Sequence, residues 1–130
     1  MNCERYLREP YDIKALGITF FELIDGLNNG EIFLLDVRTR EELLFDGAIP
    51  NSFNVPIKEV KYVFSQTDEE FQSFYGFRKP NADKLVISCR GGTRALRAWR
   101  ILNQFGFCGS RVYYGSFKDW VKNNGPILKL

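Results

Sequence analysis

Residues 84–94 have the sequence Lys-Leu-Val-Ile-Ser-Cys-Arg-Gly-Gly-Thr-Arg and decide the fold class of this chain. Residues 84–88 form a short apolar segment that predicts a strand buried on both faces. Residues 95–105 have apolar side chains at spacings of three and four, which predicts an amphipathic helix. Cys89 therefore lies in a strand-to-helix turn, where the first helical N–H groups are unpaired and the helix dipole is positive. Such a position stabilises an anion, either a reactive thiolate or a bound substrate.

The remaining residues of the turn fit the same chemistry. Glycine allows a tight backbone curl that turns N–H groups inward, and the two arginines add positive charge. A cysteine at a strand end is usually only a small buried hydrophobe, but that does not account for the residues around it. We predict that Cys89 is a catalytic nucleophile. The predicted substrate-binding residues are Arg90, Gly91, Gly92, Thr93 and Arg94.

Length and composition indicate one globular domain. The chain has 130 residues, 45% of them hydrophobic and 26% charged, and we expect a tail over residues 1–17 and a domain over residues 18–127. A net charge of +2 with scattered basic residues gives no reason to expect nucleic-acid binding. The chain has no apolar stretch of the roughly twenty residues that span a membrane, and its first ten residues do not resemble a signal peptide.

Cysteine and histidine counts limit the chemistry further. Three cysteines make a disulfide framework unexpected, so we predict the cytoplasm or another reducing compartment, with a mitochondrial location compatible. Cys108 is then interpreted as a small buried residue, and Cys3 as an incidental residue of a mobile tail. The chain has no histidine, which excludes Cys-His and Ser-His catalysis and His-containing zinc sites. We expect neither a metal nor a cofactor.

Predicted strands and helices alternate along the whole chain. Thr19, Thr39 and either Thr67 or Asp68 are expected N-caps, and the first of them has Glu22 as its capping-box partner. Alternation of this kind predicts an α/β fold in which helices cover both faces of a parallel sheet. Ligands of such sheets bind beyond the carboxyl ends of the strands, where Asp36 and Cys89 both fall. Asp36 and Arg38 are expected to form a supporting ion-pair network behind the loop.

Four motifs together resemble the rhodanese family in its single-domain form, over residues 19–126. They are the Asp-Val-Arg of residues 36–38, the Gly-Ala-Ile-Pro-Asn-Ser-Phe-Asn-Val-Pro of residues 47–56, the Cys89 loop, and the Gly-Ser-Phe-Lys-Asp-Trp of residues 115–120. The resemblance implies a central parallel sheet of five strands. It also implies transfer of a sulfane sulfur from thiosulfate, or from a related persulfide donor, through a persulfide on Cys89.

The resemblance also implies partners and roles. The acceptor would be cyanide in assays and a thiol such as glutathione or thioredoxin in cells. We expect Arg90 and Arg94 to hold the sulfonate end of the donor, and Trp120 to support the fold as a core residue. Two residues depart from the family pattern: Ala48 stands where many relatives have His, and Asn51 where Gly is commoner. We interpret that segment as structural, and Asn tolerates positive φ.

Three other functions remain as alternatives. A phosphatase or arsenate reductase of the same fold would have five residues between the cysteine and the arginine, whereas this loop has four. A non-catalytic binding module would not need the cysteine, glycines and arginines that this chain retains. A sulfur-relay protein would take its sulfur from a protein persulfide, and no motif excludes it. The aromatic-rich residues 64–77 are expected either to cover the pocket or to meet a partner.

Overall fold

A computed structural model describes Cys3 and residues 16–130. Helices and strands alternate along this part of the chain, as the sequence predicts. The helices are α1 (Phe20–Asn28), α2 (Arg40–Asp46), α3 (Ile57–Ser65), α4 (Asp68–Tyr75), α5 (Thr93–Gln104) and α6 (Ser116–Lys122). The strands are β1 (Phe33–Asp36), β2 (Ser52–Asn54), β3 (Leu85–Ser88) and β4 (Arg111–Val112).

The strands form one parallel sheet in the order β2-β1-β3-β4. Asp36 aligns with Asn54 on one side and with Ser88 on the other, so the carboxyl ends of three strands meet at one edge. Within the described residues the sheet has four strands, so the expected number of five is not confirmed. Gly17 forms a single parallel bridge to Val112, and one bridge is too short to be a strand.

Apolar side chains of the strands alternate between two cores, one on each face of the sheet. Leu35, Leu85 and Ile87 pack with apolar residues of α3, α4 and α5. Leu34 and Val86 pack on the opposite face with residues of α1 and α6. This alternation follows from the two-residue period of a strand, and it confirms a sheet covered by helices on both faces.

The aromatic residues 64–77 contribute mainly to the first core. Phe64 and Phe71 are buried, and their ring centroids lie 5.8 Å apart. Phe77 packs its ring edge-on against Phe53 and Phe71. Phe74 and Phe77 are 75% and 37% exposed. Phe64 and Phe71 therefore belong to the core, where an aromatic side chain buries a large apolar area, whereas most other residues of the segment are exposed.

The N-caps predicted at Thr19 and Thr39 are confirmed, and Thr67, not Asp68, caps α4. Thr19, Thr39 and Thr67 each accept a hydrogen bond from the backbone N–H three residues later. In each case the glutamate at that position accepts the N–H of the threonine in return. The capping box at Thr39 fixes Glu42 at the start of α2.

The expectation for the cysteines outside the loop is wrong. Cys3 is buried, and it forms a disulfide with Cys108 with their Cα atoms 5.4 Å apart. The two residues are 105 positions apart, so no spacing in the sequence signals their pairing. The odd cysteine count reflects one pair and one free thiol, Cys89, so it no longer favours a reducing compartment. Apart from Cys3 and residues 16–17, the predicted tail lies outside the described residues.

None of the helices in the described part of the chain is long and apolar enough to cross a membrane.

Candidate active site

Cys89 follows the last residue of β3, at the edge where the carboxyl ends of the strands meet. Its neighbour across the sheet is Val37, whose N–H donates to the carbonyl of Ser88 over 2.9 Å. Cys89 is 1% exposed, and it is the free thiol among the three cysteines. The fold therefore holds one unpaired thiol at the position where parallel sheets bind their ligands.

The sulfur of Cys89 faces the start of α5. The N–H of Gly92 donates to Sγ over 3.0 Å, and Gly92 is the N-cap of this helix of twelve residues. An N–H bond and the positive end of a helix dipole both stabilise negative charge on sulfur. The sulfur thus has a fixed donor in place, with no neighbouring base required.

The two loop glycines are not equivalent. Gly92 has φ +110°, and a Cβ at this position would lie 2.4 Å from the carbonyl oxygen of Tyr114. Gly91 has neither a positive φ nor any atom within 4 Å of an added Cβ, and it is exposed. The tight curl predicted for both glycines is therefore a requirement of Gly92 alone.

Ser116 is a site residue that the sequence analysis did not single out. Its Oγ accepts the N–H of Cys89 over 3.0 Å and lies 3.7 Å from Sγ. The same hydroxyl donates to the carbonyl of Tyr113 over 2.9 Å, and Ser116 is fully buried with φ +55°. A non-glycine residue in this region is strained, and such strain is typical of functional sites. Its position directly after Gly115, at a predicted strand-to-helix turn, was the available signal.

A buried ion pair lies behind the loop. The guanidinium of Arg38 donates to both carboxylate oxygens of Asp36, the shortest contact being 2.7 Å, and these side chains are 0% and 1% exposed. Arg38 also donates to the carbonyl of Gly47, and its guanidinium carbon lies 4.1 Å from the centroid of the Phe117 ring. Asn54 donates to the carbonyls of Asp36 and Arg38, which ties β2 to the same network.

The guanidinium of Arg94 is paired with a carboxylate. It donates to both carboxylate oxygens of Glu42 over 2.6 and 2.9 Å. This hydrogen-bonded pair, helped by the Thr39 N–H, lowers the pKa of Glu42 to about 2. The side chains of Arg94 and Glu42 are 28% and 22% exposed. Arg94 therefore links α5 to α2 across the loop, and its paired N–H groups face Glu42 instead of the sulfur.

The outer residues of the loop face solvent. Arg90 is 57% exposed, with its Nη1 3.8 Å from a carboxylate oxygen of Asp46. Thr93 is exposed, and it begins α5 after an N-cap without a side-chain bond. Trp120 lies in the second core, 1% exposed, and donates from Nε1 to the carbonyl of Pro126 over 2.7 Å. It is thus placed away from the loop surface.

The segment over residues 47–56 has a structural place. Ala48 is buried and exchanges two backbone hydrogen bonds with Leu128. Asn51 has φ +65°, the left-handed conformation that its replacement of glycine predicts. Position 48 therefore has a structural role through its backbone, and alanine has no side-chain group that could take part in proton transfer.

The chain is similar in sequence to known proteins. The sequence model of the family described as "Rhodanese-like domain" matches residues 19–123. The chain is 38% identical over 106 residues to mouse thiosulfate sulfurtransferase/rhodanese-like domain-containing protein 3, covering 81% of this chain and 68% of the mouse protein. It is 34% identical over 103 residues to human thiosulfate:glutathione sulfurtransferase, covering 78% of this chain and 89% of the human protein.

A solved structure gives the same result. The human single-domain sulfurtransferase TSTD1 superimposes with a TM-score of 0.74 at 33% sequence identity. The match covers 83% of this chain and 96% of the human one.

Proposed function

The chain belongs to the rhodanese family, and on that premise we propose that it moves a sulfane sulfur from thiosulfate to a thiol through a persulfide on Cys89. It is an enzyme of the thiosulfate sulfurtransferase class. One observation carries the proposal: the free thiol lies at the carboxyl end of β3 with a helix N-terminal N–H 3.0 Å from its sulfur. Attack of a thiolate on a sulfur atom needs a stabilised anion and no proton relay.

The first half-reaction loads the enzyme. The Cys89 thiolate attacks the outer sulfur of thiosulfate, a new S–S bond forms, and the S–S bond of thiosulfate breaks. The electron pair of that bond leaves with sulfite, and the enzyme keeps a persulfide anion. Negative charge stays on sulfur throughout, so the Gly92 N–H and the α5 dipole stabilise the reactant and the product alike.

The second half-reaction discharges the persulfide. An acceptor thiolate attacks the outer sulfur, the bond between the two sulfurs of the persulfide breaks, and the electron pair returns to Cys89. Glutathione is the acceptor we propose, because the human relative is named for transfer from thiosulfate to glutathione. Ser116 Oγ lies 3.7 Å from Sγ and accepts the Cys89 N–H, which supports a role in positioning the backbone that carries the sulfur.

The two arginines of the loop are given different roles. Arg90 is exposed and its charge is only loosely paired, which supports contact with the sulfonate end of the donor. Arg94 is held by Glu42 in a bidentate pair, which supports a role in shaping the loop. Its direct binding of the donor stays a prediction, and it would require the Glu42 pair to open.

Phosphatase chemistry is less well supported. The loop has four residues between Cys89 and Arg94, and the guanidinium that would encircle a phosphate is paired with Glu42. A sulfur relay from a protein persulfide shares every feature described above, so it remains the second candidate. The two differ in the donor alone.

Mass spectrometry of the intact protein tests the proposal. We expect wild-type protein to gain one sulfur atom after brief incubation with thiosulfate and to lose it on addition of glutathione or cyanide. Cys89→Ser should gain none, and it should have no sulfurtransferase activity. Sulfur on the Cys89→Ser variant would exclude the assigned nucleophile. Loading by a protein persulfide but not by thiosulfate would favour the sulfur relay.

A further inference from the structure

A small cleft lies directly beside the active loop, and of the residues that line it only Arg90 has a role assigned above. It has a volume of about 270 Å³ and is lined by Asp46, Arg90, Phe117, Lys118 and Val121. We call it the side cleft. Its size lies just below that of pockets for drug-sized ligands, so it suits a small molecule better than a protein surface.

The side cleft is joined to the nucleophile by backbone hydrogen bonds. The N–H of Phe117 donates to the carbonyl of Cys89, and the N–H of Lys118 donates to the carbonyl of Arg90, both over 3.0 Å. One wall of the cleft is therefore fixed to the loop that would carry the persulfide. The ring of Phe117 is fixed in turn, since the buried Arg38 guanidinium stacks on it.

The lining combines three kinds of chemistry. Lys118 is exposed, and among the described residues it has no ion-pair partner. Asp46 supplies one carboxylate, which is 30% exposed. Its Oδ2 lies 3.8 Å from Nη1 of Arg90, so the two side chains form only a loose ion pair. Phe117 and Val121 supply an apolar wall. Two cations, one anion and an apolar surface fit a molecule that has carboxylates, an ammonium group and a methylene chain.

This pattern distinguishes the acceptor from the donor. Thiosulfate is a small dianion that Arg90 alone can hold; it gains nothing from an apolar wall and is repelled by Asp46. In the proposed reaction sulfite leaves before the acceptor binds, so Arg90 is then available to the acceptor. A peptide thiol has carboxylates for Arg90 and Lys118, and an ammonium group for Asp46. We infer that the side cleft is the acceptor site, and that Lys118 and Asp46 select a small zwitterionic peptide thiol of the glutathione class. The inference rests on the proposed function and adds to it where the acceptor binds.

Binding of S-methylglutathione, which cannot accept sulfur, tests the inference without requiring catalysis. We expect the Kd, measured by calorimetry on the full chain, to rise about tenfold in Lys118→Glu, because one attraction becomes a repulsion. Lys61→Glu is the control, since it makes the same charge change at an exposed lysine of α3, which packs on the opposite face of the sheet from α6 and does not line the cleft. Its Kd should stay within about twofold of wild type. An equal rise in both variants, or no binding to wild-type protein, would overturn the inference.

Discharge of the preformed persulfide gives a second, independent measurement. In Lys118→Glu we expect the second-order rate constant with glutathione to fall about tenfold, and that with the neutral thiol 2-mercaptoethanol to fall far less. In Asp46→Asn the preference should shift from glutathione toward 3-mercaptopropionate, which has a carboxylate but no ammonium group. Unchanged preferences in both variants would contradict the acceptor site. A wild-type protein that never loads sulfur would contradict the proposed function instead, and the binding experiment would still decide the inference.

Discussion

The residues around the candidate nucleophile fall into two groups that differ in burial. The inner layer is buried and consists of Asp36, Arg38, Cys89, Gly92 and Ser116. The outer rim is partly or well exposed and consists of Glu42, Arg90, Gly91, Thr93 and Arg94. Each group contains an arginine–carboxylate pair, so burial and not residue type separates them.

We expect this difference in burial to separate residues that stabilise the fold from residues that determine substrate specificity. A buried charge without its partner is strongly unfavourable, and a buried backbone in the left-handed region accepts only glycine without strain. Exposed pairs contribute little and can rearrange when a substrate arrives. We therefore expect substitutions in the inner layer to unfold or distort the site, and substitutions in the outer rim to change substrate kinetics with smaller losses of stability.

The largest effect is expected for Asp36→Asn. This substitution keeps the size of the side chain but leaves the fully buried guanidinium of Arg38 without its counter-ion. The free energy of unfolding, measured by urea denaturation, should fall by about 3–5 kcal/mol. The double variant Asp36→Asn/Arg38→Met should recover part of that loss, since no buried charge remains. A loss below about 1 kcal/mol for Asp36→Asn would mean that the pair behaves like an exposed one.

The next largest effect on stability is expected for Gly92→Ala, and it is to be compared with Gly91→Ala. Gly92→Ala places a Cβ against the Tyr114 carbonyl at φ +110°, which costs about 1–3 kcal/mol in backbone strain alone. It also displaces the N–H that faces Sγ, so kcat should fall about a hundredfold. Gly91→Ala is the matched control, and its unfolding free energy should change by less than about 0.5 kcal/mol. Equal losses of stability in the two variants would contradict the assignment of inner and outer positions.

The smallest of the three effects is expected for Glu42→Gln, and it depends on pH. The Arg94 pair lowers the pKa of Glu42 from 4.5 to about 2, so the folded state holds the carboxylate more strongly than the unfolded chain does. The stability due to the pair is fully present above pH 4.5 and is lost as the pH falls toward 2. The variant should be about 1–2 kcal/mol less stable than wild type at pH 7, and the difference should shrink between pH 4.5 and 2.

Glu59→Gln is the control for that experiment. Glu59 pairs with Arg40 in a similar bidentate geometry, but both side chains are well exposed. Its removal should leave the unfolding curve nearly unchanged across the same pH range. If the two glutamates behave alike, the partial burial of the Glu42 pair has no energetic consequence.

Much of the fold and the centre of the site could be predicted from local patterns. The strand before Cys89, the helix after it and the three threonine caps all depend on residues close together in sequence. Local rules suffice there because apolar periodicity and capping act within one or two turns of chain. The pairing of Asp36 with Arg38 was also predictable, since only one residue separates them.

Contacts between residues far apart in the sequence were either predicted wrongly or not predicted. The Cys3–Cys108 disulfide, the Arg94–Glu42 pair and the approach of Ser116 to Cys89 join residues 105, 52 and 27 positions apart. No pattern in a single sequence states which distant residues share a cleft. The number of strands also depends on contacts between distant residues. Gly17 forms one bridge to Val112 of β4, at the edge of the sheet where a fifth strand would lie.

The sequence by itself determined an α/β chain with a cysteine at a strand-to-helix turn, because hydrophobic period, caps and turn glycines are local properties. The tertiary structure decided which partner each charged residue near that turn has. Arg94 points to Glu42, Arg90 points to solvent, and Lys118 comes beside the loop through a backbone bond to Arg90. The reason is physical: a charge acts through its distance to partners and its exposure to water, and packing sets both.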